Sequence, residues 1–262
     1  MIIDAHAHIA TWPTLKESEK MILVSMEKYA IGFSIISDCD CSEFPSLDKP
    51  SHSVNSLLGL RHVISFVKKD PSRLGAAFWI RPVKEKVTPE MKEYIKKNRE
   101  YIYALKFHPF ESQMKISDKR LLPYLELARE FSLPILVHTA KDEFSDIKML
   151  ANLANDNKDL NFIAAHLQLC SDNTDGLLAL KKADNLYADT AWVPMKMAKK
   201  VLLTIGDNRI MFGSDNPIDG YDTLGNPMYE DYFHNKCKLP GRLYHNLMYR
   251  NAMEVYKIHI KI

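Results

Sequence analysis

Four histidines and an aspartate stand where short apolar runs of this sequence end, and these residue types together could hold a metal ion. His6 and His8 form a His-x-His pair in the first apolar segment, and alternate side chains of a strand point to the same side. His138 follows Ile-Leu-Val, His166 follows Ile-Ala-Ala, and Asp215 follows Met-Phe-Gly-Ser. Imidazole and carboxylate groups are the usual ligands of zinc and related divalent ions. The pattern therefore predicts a metal site assembled from several chain segments.

A purely structural role is the competing explanation for these residues. One buried histidine can be a core residue whose ring nitrogens find hydrogen-bond partners, and an isolated His-x-His pair is weak support for a metal site. Four histidines and an aspartate, each at the end of an apolar run, are hard to explain in that way. We therefore expect them to form one functional cluster.

Eight short apolar runs recur along the chain at intervals of about 25–40 residues, and each resembles a β-strand. The runs are Ile2–Ile3, Phe33–Ser37, Leu74–Ile80, Ile102–Phe107, Pro134–Val137, Leu160–Ala165, Asn185–Ala188 and Arg209–Phe212. Their centres are continuous apolar blocks, which are typical of strands buried on both faces of a parallel sheet.

Stretches of helical periodicity separate these runs. The predicted helices are Leu15–Ala30, Val54–Lys68, Pro89–Arg99, Leu121–Phe131, Asp142–Asn157, Asp172–Lys182, Pro194–Ile205 and Arg242–Tyr256. Eight such units in about 260 residues predict an α/β protein with a slightly distorted (β/α)₈ TIM barrel, whose site lies at the C-terminal mouth. An open doubly wound sheet is the alternative, but it would usually carry a glycine-rich first turn. We expect residues 1–262 to form a single domain.

Two long connections would stand at that mouth. Asp38–Ser53 follows the second apolar run, and Asn216–Leu239 follows the eighth and is rich in Asp, Tyr and Pro. Loops of this length in a compact domain are usually functional or disordered.

Composition and glycine spacing exclude several classes of function. The chain has 262 residues, with 35 Lys+Arg against 33 Asp+Glu, so the formal net charge is only +2. This balance gives no reason to expect a nucleic acid partner or an anionic membrane partner, and no apolar run approaches the roughly 18 residues of a membrane span. None of the nine glycines forms a G-x-G pair, a Walker A loop or a G-x-S-x-G elbow. Phosphate binding by a glycine loop and lipase-like serine chemistry are therefore not expected.

The N-terminal residues and the cysteines bear on the compartment. The first residues lack the basic region and apolar stretch of a secretion signal. The four cysteines form neither a CxxC motif nor a zinc ribbon. We expect reduced thiols and a cytoplasmic location.

The order of the candidate residues resembles that of the amidohydrolase superfamily. Asp4 to His8 reads Asp-x-His-x-His, two single histidines follow, and Gly-Ser-Asp ends at Asp215. The pattern is most similar to the amidohydrolase-related group, which contains aminocarboxymuconate semialdehyde decarboxylase and resorcylate decarboxylase. Three further stretches, Lys69–Arg73, Lys106–Pro109 and Asn251-Ala252, extend the resemblance over nearly the whole chain.

The resemblance implies roles for the cluster. His6, His8, His138 and Asp215 would bind one divalent ion, for which zinc is the first candidate and manganese or iron the alternatives. Such an ion makes water a nucleophile near neutral pH, and Asp215 would take the proton of that water. His166 would polarise the scissile carbonyl or protonate the leaving group. In a site with two metals, His166 would instead bind the second ion.

The chemical state of Lys106 distinguishes a site with one metal ion from a site with two. Dihydroorotase-like members carry a carboxylated lysine at the fourth strand that bridges two metals, whereas many members of the closer group have a plain lysine there. We favour a cationic Lys106 that binds a substrate carboxylate. His108, Arg81 and Trp192 are further candidates for substrate contact. The alternatives are a solvent-facing loop residue for His108, a salt bridge for Arg81 and packing against the next helix for Trp192.

Together these features predict a metal-dependent hydrolase that acts on an ester, lactone or amide bond of a small, anionic molecule. A metal-dependent decarboxylase of a carboxylated ring or enoate is the alternative from another reaction class. A barrel that holds metal but has lost its chemistry is a third interpretation, against which the intact ligand set counts. A homodimer is expected from the superfamily.

Overall fold

A computed structural model describes residues 1–11, 13–44, 53–218 and 220–260. Residues 45–52 of the predicted loop Asp38–Ser53 and residue 219 of the predicted loop Asn216–Leu239 lie outside the described residues. Within the described ranges, eight strands occupy the positions of the eight apolar runs. They are β1 Ile3–Ile9, β2 Phe33–Asp38, β3 Leu74–Trp79, β4 Ile102–Phe107, β5 Ile135–Ala140, β6 Phe162–Leu169, β7 Leu186–Asp189 and β8 Ile210–Met211.

The strands form one parallel sheet in the order β1 to β8, with each strand paired to its neighbours in sequence. Backbone hydrogen bonds then join the end of the sheet to its beginning. The Ala5 N–H donates to the Phe212 carbonyl at 3.0 Å, and the Asp215 N–H donates to the His6 carbonyl at 2.7 Å. The predicted (β/α)₈ barrel is therefore confirmed. Its distortion lies in the two-residue β8 and in register shifts at three of the strand pairs.

Helices follow the strands and cover the outside of the sheet. In the described part of the chain they are α1 Leu15–Lys28, α2 Ser56–Val67, α3 Pro89–Lys97, α4 Leu122–Phe131, α5 Ile147–Asp156, α6 Thr174–Lys182, α7 Met195–Thr204, α8 Pro227–Phe233, α9 Gly241–His245 and α10 Asn251–Tyr256. A five-residue π-helical segment joins α9 to α10, so the last predicted helix is nearly continuous. Among the helices described, none is both long and apolar enough to cross a membrane.

The structure departs from the predicted helices at two places. The helix predicted from Asp142 begins only at Ile147, because the Asp142 carboxylate accepts the backbone N–H groups of Phe144 and Ser145 and forms a turn. Helix α8 was not predicted, since it lies inside a segment whose polar composition favours a loop.

The parallel arrangement fixes where the chemistry lies. Strands β1, β2, β3 and β5 are buried at every position. Apolar residues such as Ile3 and Ile135 fill their N-terminal ends, whereas His8 and His138 lie nearer the C-terminal ends. Because all the strands point in the same direction, the polar residues gather at one mouth of the barrel.

Candidate functional site

Two histidines of β1 and one aspartate after β8 converge at the mouth of the barrel. His6 Nε2 and His8 Nε2 are 3.1 Å apart. Asp215 Oδ1 lies 3.2 Å from His6 Nε2 and 2.9 Å from His8 Nε2. We call His6, His8 and Asp215 the triad. All three side chains are buried, with residue exposures of 1%, 3% and 8%.

The orientation of His6 is set from behind by Asp189 at the end of β7. His6 Nδ1 lies 2.8 Å from Asp189 Oδ2, so the ring donates its Nδ1–H to the carboxylate and keeps the Nε2 lone pair for the triad. Asp189 Oδ1 accepts the backbone N–H groups of His166 and Ala191. His8 Nδ1 lies 2.9 Å from Ser37 Oγ on β2. Each triad imidazole therefore has its second nitrogen held by a residue of another strand.

Asp215 is held by contacts on both sides. Asp4 on β1 accepts hydrogen bonds from the Ser214 N–H at 3.0 Å and from the Ser214 hydroxyl at 2.5 Å. These bonds connect β1 to the residue that directly precedes Asp215. Asp215 Oδ2 accepts the Trp192 indole N–H at 3.0 Å. The backbone of Asp215 has a φ of 62°, a left-handed conformation that is unusual for a non-glycine residue. The carboxylate thus presents Oδ1 to the two imidazoles.

The electrostatics favour neutral imidazoles beside a charged carboxylate. Burial lowers the pKa of His6 to about 3, and it lowers the pKa of His8 as well. Burial would raise the pKa of Asp215, but the surrounding imidazoles and the hydrogen bond from His8 hold this pKa well below its ordinary value. Burial raises the pKa of Asp4 to about 7.

His166 lies beside the triad on β6. Its ring centroid is 5.2 Å from that of His6, and its Nδ1 lies 3.2 Å from the Ala191 carbonyl oxygen. That contact assigns the Nδ1–H as a donor to the carbonyl and leaves Nε2 as the ring atom that can exchange a proton. His6, His166 and Asp189 also have ligand atoms within 4.8 Å of one another, but Asp189 is already occupied by hydrogen bonds.

His138 stands next to the triad and is not a member of it. Its ring stacks on that of His108 with centroids 3.8 Å apart, and it meets the ring of His166 edge-on at 4.7 Å. His108 in turn stacks on Trp79 at 5.7 Å, so three rings form one wall of the site. The structure therefore brings His138 and His108 to the site, while the role of His138 as a metal ligand stays a prediction.

Lys106 on β4 is buried against the triad. Its Nζ lies 2.8 Å from His6 Nε2, and the residue is 1% exposed. Burial lowers the pKa of the amine, whereas the neighbouring Asp215 and Asp189 favour its charged form. The amine therefore contacts the same His6 atom that the metal-ligand role requires.

Arg81 is committed to protein contacts, which corresponds to the salt bridge left open as its alternative role. Its Nη1 donates to Glu85 Oε1 at 2.8 Å and to the Val54 carbonyl, and its Nη2 donates to Ser53 Oγ at 2.9 Å. These contacts connect Ser53 and Val54, which precede α2, to the residues that follow β3. A role for Arg81 in gripping an anionic substrate is not supported, because Glu85 already balances its charge.

A cavity of about 300 Å³ adjoins the triad on the side of the β8 connection. It is lined by Trp192, Ile218, Tyr221, Asp222, Thr223 and Asn226. Trp192 belongs to both regions, because its ring lines the cavity while its indole N–H contacts Asp215. The carboxylate of Asp222 accepts hydrogen bonds from Ser25 and Tyr29 and is therefore engaged away from a ligand. Trp192 therefore lines this cavity, and its contact with substrate stays a prediction.

The spacing of the triad fits a divalent ion. Ligand bonds of about 2.0–2.2 Å place neighbouring ligand atoms of one ion about 2.9–3.5 Å apart in common geometries. The three separations in the triad are 2.9, 3.1 and 3.2 Å. Two neutral imidazoles with one carboxylate also form the donor set that zinc, manganese and iron accept. The residues present therefore fit the metal that the sequence pattern predicts.

Sequence reasoning overlooked most of the groups that hold these side chains. The sequence offers Asp189 only as a polar residue at the end of an apolar run, and it does not single out Ser37 or Ser214. Strand-end position is a signal for Asp189, since it follows β7 as Asp215 follows β8. The serines carry no such signal, because their roles depend on contacts between distant segments.

Comparison with known proteins adds the family. A family model described as Amidohydrolase matches residues 3–258, which is almost the whole chain. The search of curated proteins found no match to this chain.

Solved structures with the same fold cover nearly the whole chain at low identity. The 5-carboxyvanillate decarboxylase of Novosphingobium aromaticivorans, solved with bound manganese, has a TM-score of 0.72 at 10% identity, covering 98% of this chain and 97% of that one. A probable 2-pyrone-4,6-dicarboxylic acid hydrolase of Acinetobacter baumannii has a TM-score of 0.69 at 12% identity, covering 98% and 99%. The 4-oxalomesaconate hydratase of Rhodopseudomonas palustris has a TM-score of 0.67 at 16% identity, covering 98% and 96%. Similarity at this level establishes the shared fold.

Proposed function

Because this chain belongs to the amidohydrolase family, we propose that it is a metal-dependent hydrolase of an ester, lactone or amide bond in a small, anionic molecule. The observation that carries the proposal is the convergence of His6 Nε2, His8 Nε2 and Asp215 Oδ1 within 3.2 Å of one another, beside His166 and Lys106. Few structural roles require three such groups to face each other in a buried site.

His6, His8 and Asp215 would hold the ion, with His138 as the further ligand expected from the family pattern. A divalent ion bound there supplies Lewis acidity, which lowers the pKa of water and polarises a substrate oxygen. Zinc is our first candidate, and manganese is the alternative supported by the decarboxylase of the same fold.

The side chains around the triad divide the proton transfers between them. Asp215 is held as a carboxylate, so it can accept a proton from the attacking water. His166 donates its Nδ1–H to the Ala191 carbonyl, which leaves Nε2 free to carry a proton to the leaving group. Lys106 offers a buried positive charge for an oxygen anion of the substrate.

The cavity beside Trp192 supports a substrate with a neutral, partly apolar portion. Trp192 and Ile218 supply apolar surface there. The charge of Asp222 is paired with Lys28 at 3.4 Å, and its oxygens accept hydrogen bonds from Ser25 and Tyr29. With Arg81 bound to Glu85, Lys106 is the cation we assign to substrate binding. We therefore propose one anionic group near Lys106 and an apolar ring or chain beside Trp192.

A panel of substrates tests this proposal and separates it from decarboxylation. Purified protein loaded with zinc or with manganese is assayed with dihydrocoumarin, 2-pyrone-4,6-dicarboxylate, simple amides and 5-carboxyvanillate. Hydrolysis releases acid without carbon dioxide, whereas decarboxylation of 5-carboxyvanillate releases carbon dioxide. We expect acid release that is lost in Asp215→Asn. Carbon dioxide as the product would establish the decarboxylase alternative, and protein that binds no divalent ion would contradict both.

The remaining predictions concern the cell and the assembly. We propose that the enzyme is cytoplasmic and acts on a small molecule as a homodimer, without a nucleic acid or membrane partner. Size measurement in solution and fractionation of the source cells would test these points independently of activity.

A further inference from the structure

His166 begins an unusual backbone segment. His166, Leu167 and Gln168 have φ values of 68°, 47° and 76°, so three successive residues adopt the left-handed conformation without a glycine among them. L-residues visit this region rarely and usually singly, because Cβ crowds the neighbouring carbonyl oxygen. We call residues 166–168 the left-handed turn. A conformation of this kind persists only where surrounding contacts enforce it.

Asn173 supplies the most concentrated of these contacts. Its Nδ2 lies 3.3 Å from the His166 carbonyl oxygen, 2.9 Å from that of Leu167 and 3.4 Å from that of Gln168. The two amide hydrogens of one side chain therefore serve all three carbonyl groups of the left-handed turn. Asn173 is itself buried, with 6% exposure.

The Asn173 side chain contacts the left-handed turn, although its position in the chain would suit capping of helix α6. Asn173 is the residue at the N-cap of α6, where an asparagine usually accepts a backbone N–H of the first helical turn. Among the described residues, its side chain makes no such capping hydrogen bond. The amide is instead directed back to the left-handed turn, while Asp172 Oδ1 accepts the Thr174 N–H at the start of α6 at 2.9 Å.

Further contacts fix both ends of the turn. The His166 N–H donates to Asp189 Oδ1 at 2.9 Å, and the Gln168 N–H donates to Thr139 Oγ1 at 3.0 Å. His166 thus has its amide, its carbonyl and its ring Nδ1 each held by a different group. Without the Asn173 amide, the carbonyl groups of the left-handed turn would lose their hydrogen-bond donor. The turn could then relax toward ordinary φ values, and this change would rotate the His166 ring.

We propose that Asn173 is a positioning residue for His166, acting through the left-handed turn. The inference rests on the proposed function, in which His166 moves a proton at Nε2. Asn173 itself does not touch the reacting atoms. Its removal should therefore affect the chemical step rather than the binding of the metal or the substrate.

The test compares Asn173→Ala with wild type, using the metal-loaded enzyme and 2-pyrone-4,6-dicarboxylate, the anionic lactone of the panel, as substrate. We expect kcat to fall about 10- to 100-fold, since a displacement of about 1 Å at a catalytic group can cost two orders of magnitude. KM should change less than threefold and the metal content per chain should be unchanged, because the triad ligands keep their own contacts.

Asn185→Ala is the matched control. Asn185 is 8% exposed, and its Nδ2 likewise contacts three carbonyl oxygens, those of Ala154, Asn157 and Leu160. These contacts lie at the opposite end of the barrel, before β7. The two variants remove the same kind of tie, and Asn173→Ala also places alanine at a left-handed φ of 60°, which asparagine tolerates better. A purely structural role therefore predicts a loss of stability in Asn173→Ala without a selective loss of kcat. We expect kcat of Asn185→Ala to remain within about threefold of wild type.

Rescue by glycine is the second arm. Glycine adopts φ values near that of Gln168 without steric cost. Gln168→Gly also removes the side-chain oxygen that accepts the Ile147 N–H, so Gln168→Gly alone is the reference for the double variant. Asn173→Ala should lower kcat less in the Gln168→Gly background than it does in wild type. Hydrogen exchange of the peptide that covers β6 and the left-handed turn should be faster in Asn173→Ala than in wild type.

The outcomes separate this inference from the proposed function. If wild type is inactive on every substrate of the panel, the proposed function fails, and the exchange measurement still shows whether Asn173 holds the turn. If wild type is active and Asn173→Ala loses no more kcat than Asn185→Ala, the positioning role is wrong. Loss of metal in Asn173→Ala would also overturn it, because the effect would then arise at the triad.

Discussion

Each triad side chain is oriented by a hydrogen bond at the atom that points away from the centre of the site. Asp189 holds the second nitrogen of His6, Ser37 holds that of His8, and Trp192 holds the second oxygen of Asp215. Such partners fix the tautomer and the direction of the ligand atom. Metal affinity should therefore depend on residues that never touch the ion.

Asp189 gives the sharpest test of this dependence. Asp189→Asn should weaken binding of zinc or manganese about 10- to 100-fold, because His6 loses the carboxylate that accepts its Nδ1–H. Competitive titration against a chelating dye measures the change. Asp38→Asn is the control, since Asp38 Oδ2 is also 2.8 Å from a histidine Nδ1, that of His62, outside the triad. Equal losses in both variants would contradict the assignment of Asp189 to the metal site.

Lys106 decides how many metals the site holds. Its Nζ is 2.8 Å from His6 Nε2. Because that nitrogen has one lone pair, an ion bound to it would end this contact and leave the amine for a substrate anion. If Lys106 binds a substrate anion, Lys106→Met should raise KM at least tenfold and leave about one metal ion per chain. Metal analysis beside steady-state kinetics checks both values. Two ions per chain in wild type, falling to one or none in the variant, would instead establish the carboxylated lysine.

The residues of the site were predictable from the sequence to different degrees. His6, His8, His166 and Asp215 were found because polar residues that end apolar runs of a parallel barrel must meet at one mouth. Asn173 was not found, because nothing in the local sequence shows that residues 166–168 adopt positive φ without a glycine. The partner of His6 is 183 positions away in the chain, a separation that only the fold brings together.

At the scale of the elements, strands were easier to predict than the ends of helices. A strand buried on both faces leaves a continuous apolar run, which is why β2 and β4 occur where the sequence predicts them. Helix α5 starts late because Asp142 forms a local turn and Asp146 provides the N-cap. Helix α8 has a recognisable start in Asn226-Pro227, where asparagine caps the helix and proline takes its first position. The length and polar composition of the whole segment nevertheless predict a loop.

Gly213 marks the point where β1, β7 and the end of β8 come closest. A Cβ atom at Gly213 would lie 3.0 Å from Asp189 Cβ and 3.2 Å from His6 Cβ. Gly213→Ala should therefore lower the free energy of unfolding by about 1–3 kcal/mol, as overpacking does in a buried site. It should also weaken metal binding, because the added methyl group pushes apart the residues that orient His6.

Denaturant unfolding and metal titration measure these two effects. Gly241→Ala is the control, since a Cβ atom there meets nothing within 4 Å. We expect that control to change stability by less than about 0.5 kcal/mol. Normal metal affinity in Gly213→Ala would show that the close approach is not needed to place His6.

On the scale of the whole molecule, the two ends of the barrel have separate tasks. The C-terminal mouth holds the triad, His166 and Lys106, where buried polar groups face one another at some cost in stability. The opposite end is closed by side chains that bind backbone carbonyl groups. Arg209 and Asn185 are two of these, and both lie in the connections that precede strands. A barrel built in this way can change its chemistry at one end while its stability depends on the other.

Arg209 tests that separation. Its guanidinium donates to the carbonyl groups of Leu180, Ala183 and Leu186, which joins the end of α6 to the start of β7. Arg209→Met should lower the free energy of unfolding by about 2–3 kcal/mol, since buried carbonyl groups lose a charged donor. Metal affinity and kcat/KM should stay within about twofold of wild type, because the contacts lie at the end of the barrel away from the triad.

Denaturant unfolding, metal titration and kinetics on the same preparations check the three quantities. Arg61→Met is the matched control, because within the described residues Arg61 forms a half-exposed ion pair with Glu90 and contacts the ring of Tyr94. Such a surface pair contributes at most about 1 kcal/mol, so this variant should stay close to wild type in all three measurements. If metal affinity falls in Arg209→Met in proportion to stability, the two ends of the barrel are coupled and the division of tasks is wrong.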